Sequence, residues 1–122
     1  MPYIVAVIEG MHELFSYGEE YEALISRLAD IGRTVGIHLI LSTQCVSAEA
    51  ITPMIRHCIP SRISFKTATW TDSKRVLEKR GAEKLVRHGE MYYYPMDRSS
   101  PMHMNGCTIS DEEILRVVHF FK

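Results

Sequence analysis

Two polar residues stand where apolar runs end. Residues 3 to 8, YIVAVI, are continuously apolar or aromatic, and the run stops at Glu9 with Gly10 behind it. Residues 37 to 43, IHLILST, make a second run that turns small and polar, and Gln44 follows. A carboxylate just past a buried strand can hold magnesium, as it does in many nucleotide-hydrolysing proteins. The same pattern also fits the remains of such a site, or a buried strand that simply enters a polar loop.

Other constellations carry less chemistry. The six histidines and three cysteines include no C-x-x-C or H-x3-H spacing of the kind zinc requires. Cys45, Cys58 and Cys107 are an odd, widely spaced set, which fits free thiols in a reducing cytoplasm. Tyr92, Tyr93 and Tyr94 would alternate faces in a strand, so they read as packing on both sides.

The elements that must position Glu9 and Gln44 are legible in the pattern. Residues 3 to 8 and 37 to 43 read as buried strands rich in β-branched residues. Between them, Ser16 and Glu19 have the spacing of a helix start. Apolar residues then recur at 21, 24, 25, 28, 31 and 35 until Gly36. Positions 24, 28, 31 and 35 are expected to face the core. Arg33 lies about 200° round from residue 31 and so points outward. A short helix is expected over 48 to 58, with Pro53 near its first turn. A third strand is expected at 62 to 67. A helix capped by Thr71 or Asp72 follows and ends at Gly81, with a short turn over 82 to 86. Strand 91 to 95 is expected to form a hairpin with 102 to 107. A last helix begins in the Ser110–Glu113 capping box. Alternating strands and helices imply a parallel α/β sheet, whose ligands bind beyond the carboxyl ends of its strands. Glu9 and Gln44 each stand just past such an end.

Composition bounds the rest. With 122 residues, 46% hydrophobic and 24% charged, the chain has the size and make-up of one folded domain, with no apolar run long enough to cross a bilayer. The net charge of −1 hides an asymmetry. From Arg56 to His88 nine Lys or Arg face three acids, a local net of +6, while the remainder carries five basic residues and twelve acids. Such a segment suits an anionic partner or a solvated helix face.

Six stretches together resemble one family. RLADIGRTVGIHLILSTQ, AITPMIRHCIPSRISFK, DSKRVL, GAEKLV, HGEMYYYP and SDEEILRVV are similar, in order and over almost the whole chain, to the C-terminal half of the FtsK/SpoIIIE DNA translocase motor. The resemblance implies an α/β fold over residues 1–122: a partial RecA-like (P-loop NTPase) parallel sheet flanked by helices, with a C-terminal hairpin and helix. It implies ATP and magnesium as cofactors and double-stranded DNA as partner. It also implies a homo-oligomer or association with a translocase ring, and a cytoplasmic location, full-length relatives often being membrane-anchored through other segments.

Carried over by position, Glu9 falls on the magnesium-coordinating aspartate, and Gly10 falls on the glutamate that activates water. A general base contributes about 10²–10⁴-fold in rate, and glycine cannot replace it. Gln44 matches the sensor glutamine, whose amide can hold both the γ-phosphate and the attacking water. Arg33 matches the arginine finger, although a cation near a helix C-terminus is also favoured in its own right. Arg56 and Lys74 keep the charge of two DNA-contacting positions, and Arg75 adds to that surface. Cys45 and Trp70 stand where basic residues are expected.

The chain contains no G-x-x-x-x-G-K-[ST] phosphate loop. The expectation is therefore a truncated or degenerate ATP-driven DNA pump that does not hydrolyse ATP alone. The alternative is a non-catalytic DNA-binding or ring-capping module.

Overall fold

The computed structural model describes residues 2–122. Strand β1 (Ile4–Ile8) and strand β2 (Ile37–Leu41) pair in parallel, with Ile4 opposite Ile37 and Ile8 opposite Leu41. Helices α1 (Met11–Ser16) and α2 (Glu19–Thr34) make the crossover between them. The sequence pattern did not anticipate α1. It starts directly behind Gly10, whose φ of 71° and ψ of 36° lie in the left-handed region, and it buries Met11 against Ile25 of α2. The Ser16–Glu19 spacing is not a cap. The Ser16 hydroxyl instead donates back to the Glu13 carbonyl at 2.6 Å and closes α1. Helix α2 follows Gly18 with no side-chain cap, and Glu19, Glu20 and Glu22 in its first turn suit the helix dipole.

The buried face of α2 also differs from the expectation. Ile25, Ser26, Ala29 and Gly32 are buried, whereas Leu24, Leu28, Ile31 and Val35 are exposed, Ile31 by 55%. The cause is close approach. A Cβ on Gly32 would lie 3.1 Å from Cβ of Ile37, so the helix lays its smallest residues on β2. The large apolar stripe, one residue out of phase, is left outward.

Helix α3 (Pro53–Cys58) is shorter than expected, residues 48–51 forming turns. Its N-cap Thr52 accepts from the Ile55 N–H at 3.1 Å, and its hydroxyl donates to Glu22 on α2. Strand β3 (Arg62–Ser64) does not extend the parallel pair. It runs antiparallel to β4 (Glu90–Tyr94), which pairs antiparallel with β5 (Met102–Asn105) as the hairpin expectation held. The distinguishing signal lies in the chemistry of 62 to 67. Polar and apolar residues alternate there, as on an antiparallel sheet wetted on one face, whereas β1 and β2 are continuously apolar. The α/β class thus stands, with two parallel strands beside a three-stranded antiparallel sheet.

Helix α4 (Trp70–Leu77) is capped by Thr69, not by Thr71 or Asp72. The Thr69 hydroxyl accepts the Asp72 N–H at 3.2 Å. The helix stops at Glu78, which is left-handed at φ 62°, before it reaches Gly81. Leu77, Ala82 and Leu85 then form a buried cluster against Tyr92 and Tyr94. Ser73, fully buried, pins this turn by donating to the Lys79 carbonyl at 2.8 Å and accepting from the Ala82 N–H at 3.0 Å. Helix α5 (Asp111–Phe120) has the expected capping box, with the Ser110 N–H donating to Glu113 at 2.8 Å. It is exposed along its whole length.

Several carboxylates are held below the ordinary glutamate value of 4.5 by backbone N–H donors. For Glu90 these belong first to Arg87 and then to Val86, for Glu83 to Gly81, and for Glu113 to Ser110. A lowered folded-state pKa contributes stability that is present above the unfolded value and lost as pH falls through the folded one. Urea midpoints should therefore hold steady above about pH 6 and drop below about pH 4.5, and Glu90→Gln should flatten that drop.

Candidate functional site

Two regions collect the candidate residues. The first is the carboxyl edge of the parallel pair. The Ser42 N–H donates to the Ile8 carbonyl at 2.9 Å, and the Met11 N–H donates to the Ser42 carbonyl at 3.0 Å. These bonds carry the pairing one step past each strand and fix the turns that bear Glu9 and Gln44. His12 and Thr43 meet across the same edge at 3.0 Å, and the Thr43 hydroxyl accepts from the Cys45 N–H at 3.1 Å. Glu9 and Gln44 are both exposed at this edge.

The residue after Glu9 has a conformational reason to be glycine. The left-handed geometry of Gly10 costs a side-chain-bearing residue about 1–2 kcal/mol. An added Cβ would meet nothing closer than the Glu13 carboxyl carbon at 3.8 Å, so the obstacle is backbone strain and not space. Among the described residues no group of three His, Cys, Asp or Glu stands together as metal ligands. Arg33 is exposed in the last turn of α2 and, among the described residues, its side chain reaches the Met96 sulfur, 3.7 Å from its Nη1.

The second region is a groove between α3 and α4, about 420 Å³ in volume. Arg56, Lys74 and Arg75, eighteen and nineteen residues apart in sequence, all line it. Their states differ. Arg75 is engaged within the protein, its Nη1 donating to the Val46 carbonyl at 2.9 Å and to Asp72 at 3.4 Å. It ties the segment after β2 to α4. Arg56 is half-buried, and its Nε–H is buried with no hydrogen-bond partner among the described residues. Lys74 is exposed and makes no side-chain ion pair among the described residues. Glu78, the acid of the groove, is paired with Arg62 at 3.4 Å.

The wider basic segment sorts in the same way. Arg62 is structural, since it bonds the Val76 carbonyl at 3.0 Å and lies over the Tyr94 ring. Lys79 is structural too, reaching the Ser99 carbonyl and the Ser100 hydroxyl in the turn before β5. One residue that sequence reasoning passed over, Ser73, also shapes the region, and Arg80, counted there only as diffuse charge, has a specific partner. Ser73 anchors α4, and Arg80 sits over Trp70 with its guanidinium carbon 4.3 Å from the ring centroid. Ten positions separate Trp70 from Arg80, so no local periodicity marks the pair.

No protein-family model matches the chain. Curated relatives do. It is 40% identical over 123 residues to the DNA translocase FtsK of Lactiplantibacillus plantarum and 42% identical over 123 residues to that of Clostridium tetani, covering all of this chain each time. The FtsK of Pseudomonas syringae pv. tomato is 40% identical over the same span. Among solved structures, the pCW3 conjugation coupling protein TcpA, in its monomer form with ATPgS, matches with a TM-score of 0.82 at 23% identity. That match takes in 100% of this chain and 38% of TcpA. The cytoplasmic domain of the Type VII secretion ATPase EccC of Thermomonospora curvata matches with a TM-score of 0.74 at 22% identity, over 91% of this chain and 13% of that one. These two likenesses show the fold, that of P-loop ATPase domains. The chain spans 15–17% of the length of the FtsK relatives it matches, and over that span it is similar to the FtsK DNA translocases.

Proposed function

We propose that residues 1–122 form one partial motor domain, which supplies a DNA-facing wall and the acid-and-sensor edge of an FtsK-type translocase without hydrolysing ATP alone. The observation that carries this reading is the groove between α3 and α4. It holds a buried guanidinium N–H of Arg56 with no acceptor among the described residues, beside Lys74, which makes no ion pair among them. The Nε–H itself is closed off, so a DNA phosphate would meet the outer guanidinium nitrogens of Arg56 and the ammonium of Lys74, which share the groove. Glu9 and Gln44 take the metal and sensor roles only when a phosphate-binding loop is provided beside them. Arg33, exposed at the end of α2, is the candidate finger for a neighbouring subunit. The position of Gly10, where the general base would stand, favours the non-hydrolysing reading. Titration with a fluorescent ATP analogue should show no tight site, and a micromolar dissociation constant would sink this part of the proposal.

Association with further protein belongs to the same reading. The Ile4 N–H bonds to the Gly36 carbonyl and the Ile8 carbonyl accepts from Ser42, so these residues face β2. Backbone groups of Val5 and Val7 then face the open edge of β1, and those of Leu39 face the open edge of β2. Unpaired strand edges beside exposed Leu24, Leu28, Ile31 and Val35 invite another chain. Sedimentation at rising concentration should show self-association, and a clean monomer at high concentration would count against it.

A further inference from the structure

We propose that Trp70 and Arg80 act as one unit, a phosphate contact for duplex DNA in which the indole holds the guanidinium in place. The inference rests on the DNA-facing reading of α3 and α4 given above. Trp70 is the first residue of α4, and Lys74 stands one turn further along the same face. Trp70 therefore continues the line of charge that begins at Arg56 and Lys74, although it carries none itself. Arg80 brings the charge to that place. Its guanidinium carbon lies 4.3 Å from the Trp70 centroid, well within cation–π range.

The chemistry of the pair is specific. Arg80 is exposed, and its side chain has no carboxylate or carbonyl partner among the described residues. Its neighbour Lys79 turns the other way, to Ser99 and Ser100. A guanidinium held on an aromatic face keeps its N–H fork available, and that fork matches the oxygens of a phosphate. Holding it also removes part of the entropy cost of fixing a long side chain. Trp70 is 47% exposed, so the unit is open to a ligand as large as a duplex. Arg80, three residues past the end of α4, brings its charge back to the first turn of that helix.

Trp70 is the only tryptophan in the chain, so its fluorescence reports on this site alone. The test titrates the whole chain with a duplex oligonucleotide and with a single strand of equal length, at several salt concentrations. Duplex should change Trp70 emission. Arg80→Ala should lower the salt slope by about one unit and weaken binding roughly tenfold near 0.1 M salt. Arg80→Lys should keep most of the slope. Trp70→Ala should weaken binding as well, and the double variant Trp70→Ala/Arg80→Ala should lose little more than Arg80→Ala, because the pair acts together. Arg27→Ala, an exposed arginine on α2, should leave the slope unchanged.

Additive losses, or an equal loss from Arg27→Ala, overturn the pairing and point to diffuse charge. Tighter binding and stronger quenching by the single strand overturn it in favour of a base stacked on the indole. Duplex binding that is indifferent to both Trp70→Ala and Arg80→Ala removes this inference and leaves the α3–α4 groove standing. No duplex binding by the unaltered chain at low salt removes the DNA-facing reading and this inference with it.

Discussion

Duplex DNA binding by the Arg56→Ala/Lys74→Ala double variant should fall on the order of 50–100-fold near 0.1 M salt, with the slope of log K against log salt smaller by about two units. Each neutralised phosphate releases about 0.9 of a counterion from duplex DNA, so one lost contact near that salt concentration is worth roughly tenfold. The two side chains come from different helices and reach the same groove, which makes the pair a stricter test than either alone. The two losses should not be equal. Arg56 loses a buried donor as well as a charge, whereas Lys74 loses an exposed point charge. Arg75→Ala separates the structural part of the groove. Its guanidinium holds the Val46 carbonyl, so that change should lower stability together with affinity. Filter binding across a salt series, beside urea unfolding of the same variants, distinguishes the two. Wild-type slopes in the double variant would remove Arg56 and Lys74 from the DNA-contacting set.

Leu77→Ala should cost roughly 2–5 kcal/mol of stability, out of a total that for a domain of this size is only about 5–15. Leu77 is 1% exposed and is the largest fully buried side chain. It joins α4 to Ala82, Leu85 and the tyrosines of β4, so removing it opens a cavity where the helix is anchored. Ser73 lies one turn earlier and bonds the 79–82 turn from the same buried side. The loss therefore extends to the placement of Lys74, Arg80 and Trp70. The expected result is a large drop in the urea midpoint together with weaker DNA binding. Lys74→Ala, on the exposed side of the same helix, should change binding and leave the midpoint within about 0.5 kcal/mol of wild type. A midpoint unchanged by Leu77→Ala would mean that α4 is held elsewhere.

Elements with local signals were readable in the sequence. The Ser110–Glu113 capping box predicted α5, because both bonds of the box close within one helical turn. Strands β1 and β2 were readable as strands from their continuous β-branched runs, but not as buried ones, since Ile4, Val5, Val7 and Ile40 are exposed. The β4–β5 hairpin followed from the proline-rich stretch between two short runs. Errors came where a choice between surfaces was left to packing. Helix α2 has both a stripe of large apolar residues and a stripe of small ones. The demand for close approach at Gly32 put the small stripe inside. Residues 62 to 64 form a strand as expected, yet their partner is set by long-range pairing with Tyr92 to Tyr94.

The sequence by itself determined the resemblance to the FtsK translocases, the α/β class and the placement of Glu9 and Gln44 past two strand ends, because motif order and apolar runs are properties of the chain read in line. The same resemblance marked Arg56 and Lys74 as candidates, with Arg75 beside them, within a run of basic charge that needs no coordinates to count. The tertiary structure alone decided which of those charges are free. Arg75, Arg62 and Lys79 are bound to carbonyls and side chains far off in sequence, while the Arg56 Nε–H has no acceptor among the described residues and Arg80 lies on Trp70. A guanidinium's availability depends on which acceptors the fold brings within about 3 Å of it, and that distance is set by packing between helices, not by neighbours along the chain.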